Sequence, residues 1–265
     1  MKYDNIMAME ISAVVITYNE EKRLERALKS LQGVVSEIVV VDSHSTDGTV
    51  ETARKYTRRV FRRKWTNFSD QKNWANAKAS HPWILSLDSD ECLSPQLKTE
   101  IIRLKDREPR AAGFSMPRRV FYLGKWIRHS GWYPDRKIRL FRKDRARWEG
   151  PYVHESLRVD GKVVKLSGDI HHFTYRDIRE HMERINQFSG LGAQKLYAAG
   201  KKARWFHLLF LPPVRIVRTY FLKAGFLDGF PGVVIAVLNG YAIFARYAKL
   251  KEIWKKGERI EPFSS

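Results

Sequence analysis

Residues 11–32 read ISAVVITYNEEKRLERALKSLQ, and two periodicities meet inside them. Ile11 to Thr17 is a short, almost unbroken apolar run rich in β-branched residues, as expected of a strand covered on both faces. From Glu20 to Gln32 the residues Leu24, Ala27, Leu28 and Leu31 recur at helical spacing and predict an amphipathic helix. The same alternation continues downstream. Glu37 to Val41 (EIVVV) predicts a second buried strand, and Asp47-Gly48 opens a helix with Val50, Ala53 and Tyr56 on one face. A third strand is expected near Arg59 to Arg62, a helix near Asp70 to Ala79, and a strand over Pro82 to Leu87 (PWILSL). Ser94-Pro95 reads as an N-cap followed by proline at the first helical position, with Leu97, Ile101 and Leu104 inward. Strand–helix alternation of this kind means right-handed βαβ units on a parallel sheet, an α/β fold.

From about Ala111 to Phe173 the pattern shortens. Lys137 to Arg142, Tyr152 to Val159 and Lys162 to Leu166 are separated by turns such as Asp160-Gly161 and predict mixed or antiparallel strands that complete the sheet. Thr174-x-x-Asp177 resembles a capping box opening a helix through about Ala198, with Ile178, Met182, Ile185 and Leu196 inward. The expected organisation is a catalytic domain over 1–175, divided into halves 1–110 and 111–175, and a helical extension over 176–265. In that extension Trp205 to Val217 and Phe230 to Ala245 are apolar runs flanked by Lys and Arg. Each is shorter than the roughly 18–20 clean apolar residues of a spanning helix, and Asp228 separates them. The expectation is attachment to an anionic membrane surface, with Lys249, Lys251, Lys255 and Lys256 facing lipid headgroups. An ordinary helical subdomain packed on the sheet is the alternative.

Composition narrows the class. With 265 residues, 43% of them hydrophobic, the chain can bury a sizeable core without disulfide or metal staples. The lone Cys92 excludes an intramolecular disulfide framework and fits a reducing setting. Met1 to Glu10 has no apolar stretch of the kind a secretory signal needs. Lys and Arg number 49 against 29 Asp and Glu, a net charge of +20 that favours an anionic partner. Charge alone does not distinguish nucleic acid, lipid and phosphorylated sugar.

The ligand crevice of an open parallel sheet lies at the carboxyl ends of its strands. Here those ends carry Thr17-Tyr18-Asn19-Glu20, Asp42-Ser43-His44-Ser45-Thr46-Asp47 and Asp88-Ser89-Asp90-Glu91. Asn19 and Asp47 also read as helix caps. Asp88 and Asp90, at i and i+2, point the same way at a strand end. Two such carboxylates need a metal cation or a basic group beside them, and a hard divalent ion such as Mg²⁺ or Mn²⁺ bridging to substrate phosphates is the former.

VVITYNEE (14–21), VVVDSHSTDGT (39–49), QKNWANAKA (71–79) and ILSLDSDE (84–91), in this order and spacing, resemble family 2 glycosyltransferases of the Rossmann-like nucleotide-diphospho-sugar (GT-A type) fold. RKIRLFRK (136–143), WEGPYVHESL (148–157), HHFTY (171–175) and FLKAGFLDGFPG (221–232) resemble the bacterial lipopolysaccharide-core β-glucosyltransferase branch. One departure is His44, where many relatives have glycine.

The resemblance implies a mixed, mainly parallel central sheet and a set of roles. Thr17, Tyr18 and Glu20 would line the base and ribose pocket, with Asp42 accepting from the uracil imide. Lys72 and Asn73 would lie near the base or phosphates, Asp88 and Ser89 near the ribose and metal, and Asp90 on the metal. Glu155 would be the base that deprotonates the acceptor hydroxyl, oriented by His154, with a salt bridge to an arginine as its plainer alternative. His172 would be a further metal or diphosphate contact, or merely a hydrogen-bonded histidine. Arg136, Arg139 and Arg142 would form one cationic strand face for phosphates.

The implied activity is inverting transfer of a hexose, glucose from UDP-glucose, to a lipid-linked saccharide of the lipopolysaccharide inner core. The enzyme would use Mg²⁺ or Mn²⁺ and sit peripherally on the cytoplasmic face of the inner membrane. Another nucleotide sugar or a polyprenyl-phosphate acceptor is the runner-up. A nucleic-acid-binding protein is the reading from another class, disfavoured because no stacking module or recognition helix is legible. A dinucleotide oxidoreductase is excluded by the first turn, TYNEEKRL, which lacks G-x-G-x-x-G.

Overall fold

The computed structural model describes residues 9–106, 109–150 and 155–256. The chain divides into two compact units, one formed by residues up to 119 with 135–173, the other by 120–134 with 174 onward.

In the first unit the expected alternation is realised as β1 (Ile11–Thr17), α1 (Glu21–Leu31), β2 (Glu37–Asp42), α2 (Thr49–Arg54), β3 (Val60–Arg62), α3 (Phe68–Lys78), β4 (Trp83–Asp88), β5 (Glu91–Leu93) and α4 (Pro95–Leu104). β6 (Gly113–Tyr122) runs on into the second unit, where β7 (Lys125–Trp126) pairs back on it. β8 (Asp135–Arg142), β9 (Ala146–Glu149), β10 (Ser156–Val159), β11 (Val163–Lys165) and β12 (Ile170–His172) complete the first unit.

The sheet order is β3-β2-β1-β4-β8-β6-β12-β5, with β11 beside β6. β3, β2, β1 and β4 run parallel to one another, whereas β8 is antiparallel to both β4 and β6. All seven residues of β1 are buried, as its unbroken apolar run requires. Each fully buried Val, Leu or Ile contributes on the order of 1.5–3 kcal/mol. Leu24, Ala27, Leu28 and Leu31 form the buried stripe of α1. Ser94 caps α4 by accepting from the Leu97 amide, with Pro95 in the first turn.

The order places a topological switch between β1 and β4, since the chain leaves β1 toward β2 on one side and reaches β4 on the other. Thr17 is level with Asp42, and Ile16 with Asp88, so three polar strand ends meet on one rim.

Two loops on this rim hold each other. The Asn19 carboxamide oxygen accepts from the Thr46 amide, and Ser45 Oγ accepts from the Asn19 amide. Asp47 accepts from the amides of Glu21 and Thr49, and Thr49 Oγ1 accepts from the Glu20 amide. The free amides at the start of α1 are thus satisfied by the loop after β2 rather than by a cap of their own.

The second unit contains α5 (Ile178–Ala198), α6 (Trp205–Leu209), α7 (Leu211–Val217), a π turn (Arg218–Leu222), a 3₁₀ turn (Gly225–Asp228) and α8 (Phe230–Lys256). α5 starts three residues later than the Thr174 cap implied: Asp177 accepts from the Glu180 amide, and Glu180 reaches back to the Arg176 amide. Its inward residues also differ. Met182 is exposed, and the neighbouring His181 is buried, stacked on Tyr175 at 4.2 Å and 2.9 Å from the Tyr122 hydroxyl.

Asp228 does more than separate two apolar runs. It is buried and accepts from the amides of Arg128 and His129 and from Ser130 Oγ. The helix that begins with the second apolar run continues through the charged residues after Ala245 to Lys256, and by length and composition it could cross a membrane. Gly232 sits so close to the Gly225 carbonyl that an added Cβ would lie 1.8 Å from its oxygen.

Candidate active site

Burial decides most of the site's electrostatics. Asp88, at the end of β4, gives one carboxylate oxygen to Lys72 Nζ at 2.9 Å and the other to Arg139 Nη2 at 2.5 Å. Burial alone would raise its pKa, but Arg139 and Lys72 reverse the sign and hold it far below the usual carboxylate range. Lys72 projects from α3 and is only 2% exposed, over the ring of Trp148 at 4.4 Å. Its ammonium also lies 3.6 Å from Glu155 Oε1. α3 therefore buries polar residues, among them Gln71 and Lys72, where an amphipathic helix would bury apolar ones.

Arg139 owes its direction to a break in register. β8 pairs Leu140 with Phe114 and Ile138 with Ser115, leaving Arg139 as the extra residue of a bulge. It is buried and bridges Asp88 and Glu91, the latter at 2.8 Å. Its pKa is raised: burial acts downward, and the carboxylates of Asp88 and Glu91 outweigh it.

The expected cationic face is not formed. Arg136 donates to the backbone carbonyls of Ser115 and Leu166, Arg139 is buried among carboxylates, and Arg142 pairs with Asp144. Residues three apart on a regular strand do not share a face, and the bulge puts Arg136 and Arg142, six apart, on opposite ones.

Asp90 stands two residues after Asp88, with Oδ2 3.2 Å from His172 Nε2. Burial pushes the Asp90 carboxyl upward, but His172 outweighs that and lowers its pKa. β12 delivers His172 through its antiparallel pairing with β5, in register with Glu91. His172 Nδ1 is buried without a hydrogen-bond partner among the described residues. A carboxylate oxygen and an imidazole nitrogen about 3 Å apart have the separation of two neighbouring ligands on one hard divalent ion, whose bonds are about 2.1 Å. The pair thus fits such an ion. Asp88, expected beside Asp90 as a ligand, instead has both oxygens engaged by cations, and among the described residues no three His, Cys, Asp or Glu side chains converge on a metal position.

The base-pocket candidates separate. Thr17 is buried with its hydroxyl unpartnered among the described residues, whereas Tyr18 is 48% exposed at the rim. Glu20 pairs with Arg23 at 3.4 Å. Asp42 is fully buried, and its carboxylate accepts from the amide and the hydroxyl of Ser45, which makes it a loop anchor rather than an open acceptor for a base. Asn73 is drawn to β9, donating to the Trp148 carbonyl and accepting from the Trp148 amide. Ser89 is buried in the turn after β4. His154 lies outside the described residues.

Glu91 had no assigned role in the sequence. It is 1% exposed, binds Arg139 and Arg118, and accepts from the Asp88 amide. A glutamate directed into a sheet core is itself a signal, since it demands buried cations, but the sequence does not name them.

Residues 12–159 match the family model described as Glycosyl transferase family 2. An uncharacterized glycosyltransferase of Rickettsia typhi is 30% identical over 262 residues, 95% of this chain and 90% of its own. LpsC of Rhizobium meliloti, named a lipopolysaccharide core biosynthesis glycosyltransferase, is 30% identical over 257 residues, 92% of this chain and 95% of its own. The crystal structure of S. aureus TarS 1-349 superposes with a TM-score of 0.46 at 16% identity, covering 94% of this chain and 92% of that one. With the family model spanning more than half the chain and relatives matched nearly end to end, this protein belongs to glycosyltransferase family 2.

Proposed function

We propose that the enzyme is an inverting glycosyltransferase that moves a hexose, glucose from UDP-glucose, onto a lipid-linked saccharide of the lipopolysaccharide inner core. The observation that carries this reading is the linkage of Asp88, Lys72 and Glu155, with the Asp90–His172 pair following on the same motif. It supports one station for a departing diphosphate and one for an attacking hydroxyl. The likeness to LpsC supports the acceptor class.

In the proposed reaction Glu155 accepts the proton of the acceptor hydroxyl. That oxygen bonds to the anomeric carbon from the face opposite the donor phosphate. The bond between anomeric carbon and phosphate oxygen breaks, and its electron pair leaves with the nucleoside diphosphate. Lys72 steadies Glu155 and Asp88 together. Asp90 and His172 would hold a divalent ion, Mg²⁺ or Mn²⁺, which when bound supplies positive charge to the diphosphate. Tyr18 and Glu20 at the open rim would meet the nucleoside. Action at the cytoplasmic face of a membrane is supported by the exposed apolar and basic surface of the second unit.

Incubating the full chain with a panel of nucleotide sugars and a lipid-A-linked core acceptor tests this reading. UDP-glucose is expected to give a glycosylated lipid of inverted anomeric configuration. Transfer only from another donor, or only to a polyprenyl phosphate, replaces the substrate assignment. Donor hydrolysis and transfer both absent with every pair refutes it.

A further inference from the structure

Within the second unit, α6 and the C-terminal part of α8 enclose an open groove of about 620 Å³, inside the roughly 300–1,000 Å³ range of small-ligand sites. Its floor is apolar, with Trp205 and Leu209 from α6 and Phe244 and Ala248 from α8, and its rim carries Lys251 and Lys255. The lining thus offers apolar and cationic groups together, which is the demand of an amphipathic anion.

The charges on the rim do not cancel. Lys256 lies 2.7 Å from Glu252, so that pair neutralises itself. Lys251 rests over the face of the Trp205 ring, 3.7 Å from its centroid, which fixes its ammonium against the apolar lining. Lys255 makes no ion pair among the described residues. Trp205 is 67% and Leu209 60% exposed, and Phe206 and Phe210 on the same side of the sequence are exposed as well. A soluble phosphate would leave this floor wet, and a neutral chain would leave the two lysines unmatched.

The geometry points to a binding site for a single anionic phospholipid, its acyl chain along Trp205, Leu209, Phe244 and Ala248 and its phosphate between Lys251 and Lys255. This rests on the membrane-surface part of the function proposed above and deepens it: the enzyme would hold one lipid as a fixed component, besides any looser contact with the bilayer.

Native mass spectrometry of the full chain in detergent, with phosphatidylglycerol or phosphatidylcholine of identical acyl chains, tests the site. The expected result is one phosphatidylglycerol per chain, retained at least tenfold better than phosphatidylcholine. Ala248→Trp, which fills the groove, should reduce retention at least tenfold, and so should Leu209→Glu, at an exposed position that folding does not depend on. The double variant Lys251→Glu/Lys255→Glu should lose the preference for the anionic lipid. Equal retention of the two lipids, or undiminished retention by Leu209→Glu, overturns the site. Sedimentation with phosphatidylglycerol vesicles separates the two readings. Sedimentation without retention in detergent overturns the groove and leaves membrane attachment standing, whereas retention without sedimentation supports the groove and overturns attachment.

Discussion

Lys72 Nζ and Asp88 Oδ1 are 2.9 Å apart, on a lysine that is almost wholly buried. A buried ammonium is tolerated only while its partners remain ionised around it. Lys72→Met removes the cation that Asp88 and Glu155 share. Because Asp88 and Glu155 keep some contact with solvent, the loss should fall below the roughly 3–5 kcal/mol of a fully buried pair, and a lower unfolding free energy, read by urea titration, is expected. An unchanged midpoint would show that Arg139 alone suffices for Asp88.

Glu155→Gln keeps the shape and removes the proton acceptor. Turnover should fall by roughly 10²-fold or more, the usual scale of a lost general base. Donor affinity, measured by calorimetry with UDP, should stay within about twofold, since uniform binding is not what a base contributes.

The two aspartates of the DSD motif should behave differently. Asp90→Asn and His172→Ala should each weaken Mn²⁺ binding, followed by electron paramagnetic resonance, by at least about tenfold. Asp88→Asn should chiefly lower stability, because its oxygens serve Lys72 and Arg139. Equal loss of Mn²⁺ from Asp88→Asn and Asp90→Asn would contradict this division.

His181 predicts a pH dependence. Burial lowers its pKa to about 4 from a value of 6.5. Between those values the unfolded chain binds a proton and the folded chain does not, so stability rises with pH across the window and is lost as pH falls. The loss amounts to about 3 kcal/mol by pH 4. His181→Gln should flatten this slope in urea midpoints recorded from pH 4.5 to 7.5. A variant as pH-sensitive as the parent chain would assign the slope to other groups.

Gly232→Ala places a methyl group where the Gly225 carbonyl already stands. Something must shift, and overpacking of this kind typically costs 1–3 kcal/mol. A thermal midpoint within one degree of the parent would mean that the turn yields freely.

Much of this was readable from local pattern. The β-branched run of β1, the stripe of α1 and the Ser94-Pro95 start of α4 each depend on neighbours within one element, and the structure realises all three. What escaped depends on distant chain. His181 rather than Met182 faces inward because Tyr122, Trp132 and Tyr175 surround it. The ten-residue β6 contains Pro117, which breaks up its signal in a reading by short runs. The partners of Asp42 and Asn73 are loop and strand atoms that spacing alone could not assign.

The extra residue in β8 has a further meaning for sequence change. Arg139 sits between two paired segments whose alternation is offset by one, so it acts as a frame marker for everything on either side. Deleting it would close the bulge and leave both arms of the strand paired as before, but Glu91 and Asp88 would lose the guanidinium set between them. A chain shortened at this one position should therefore be selected against through charge rather than through pairing.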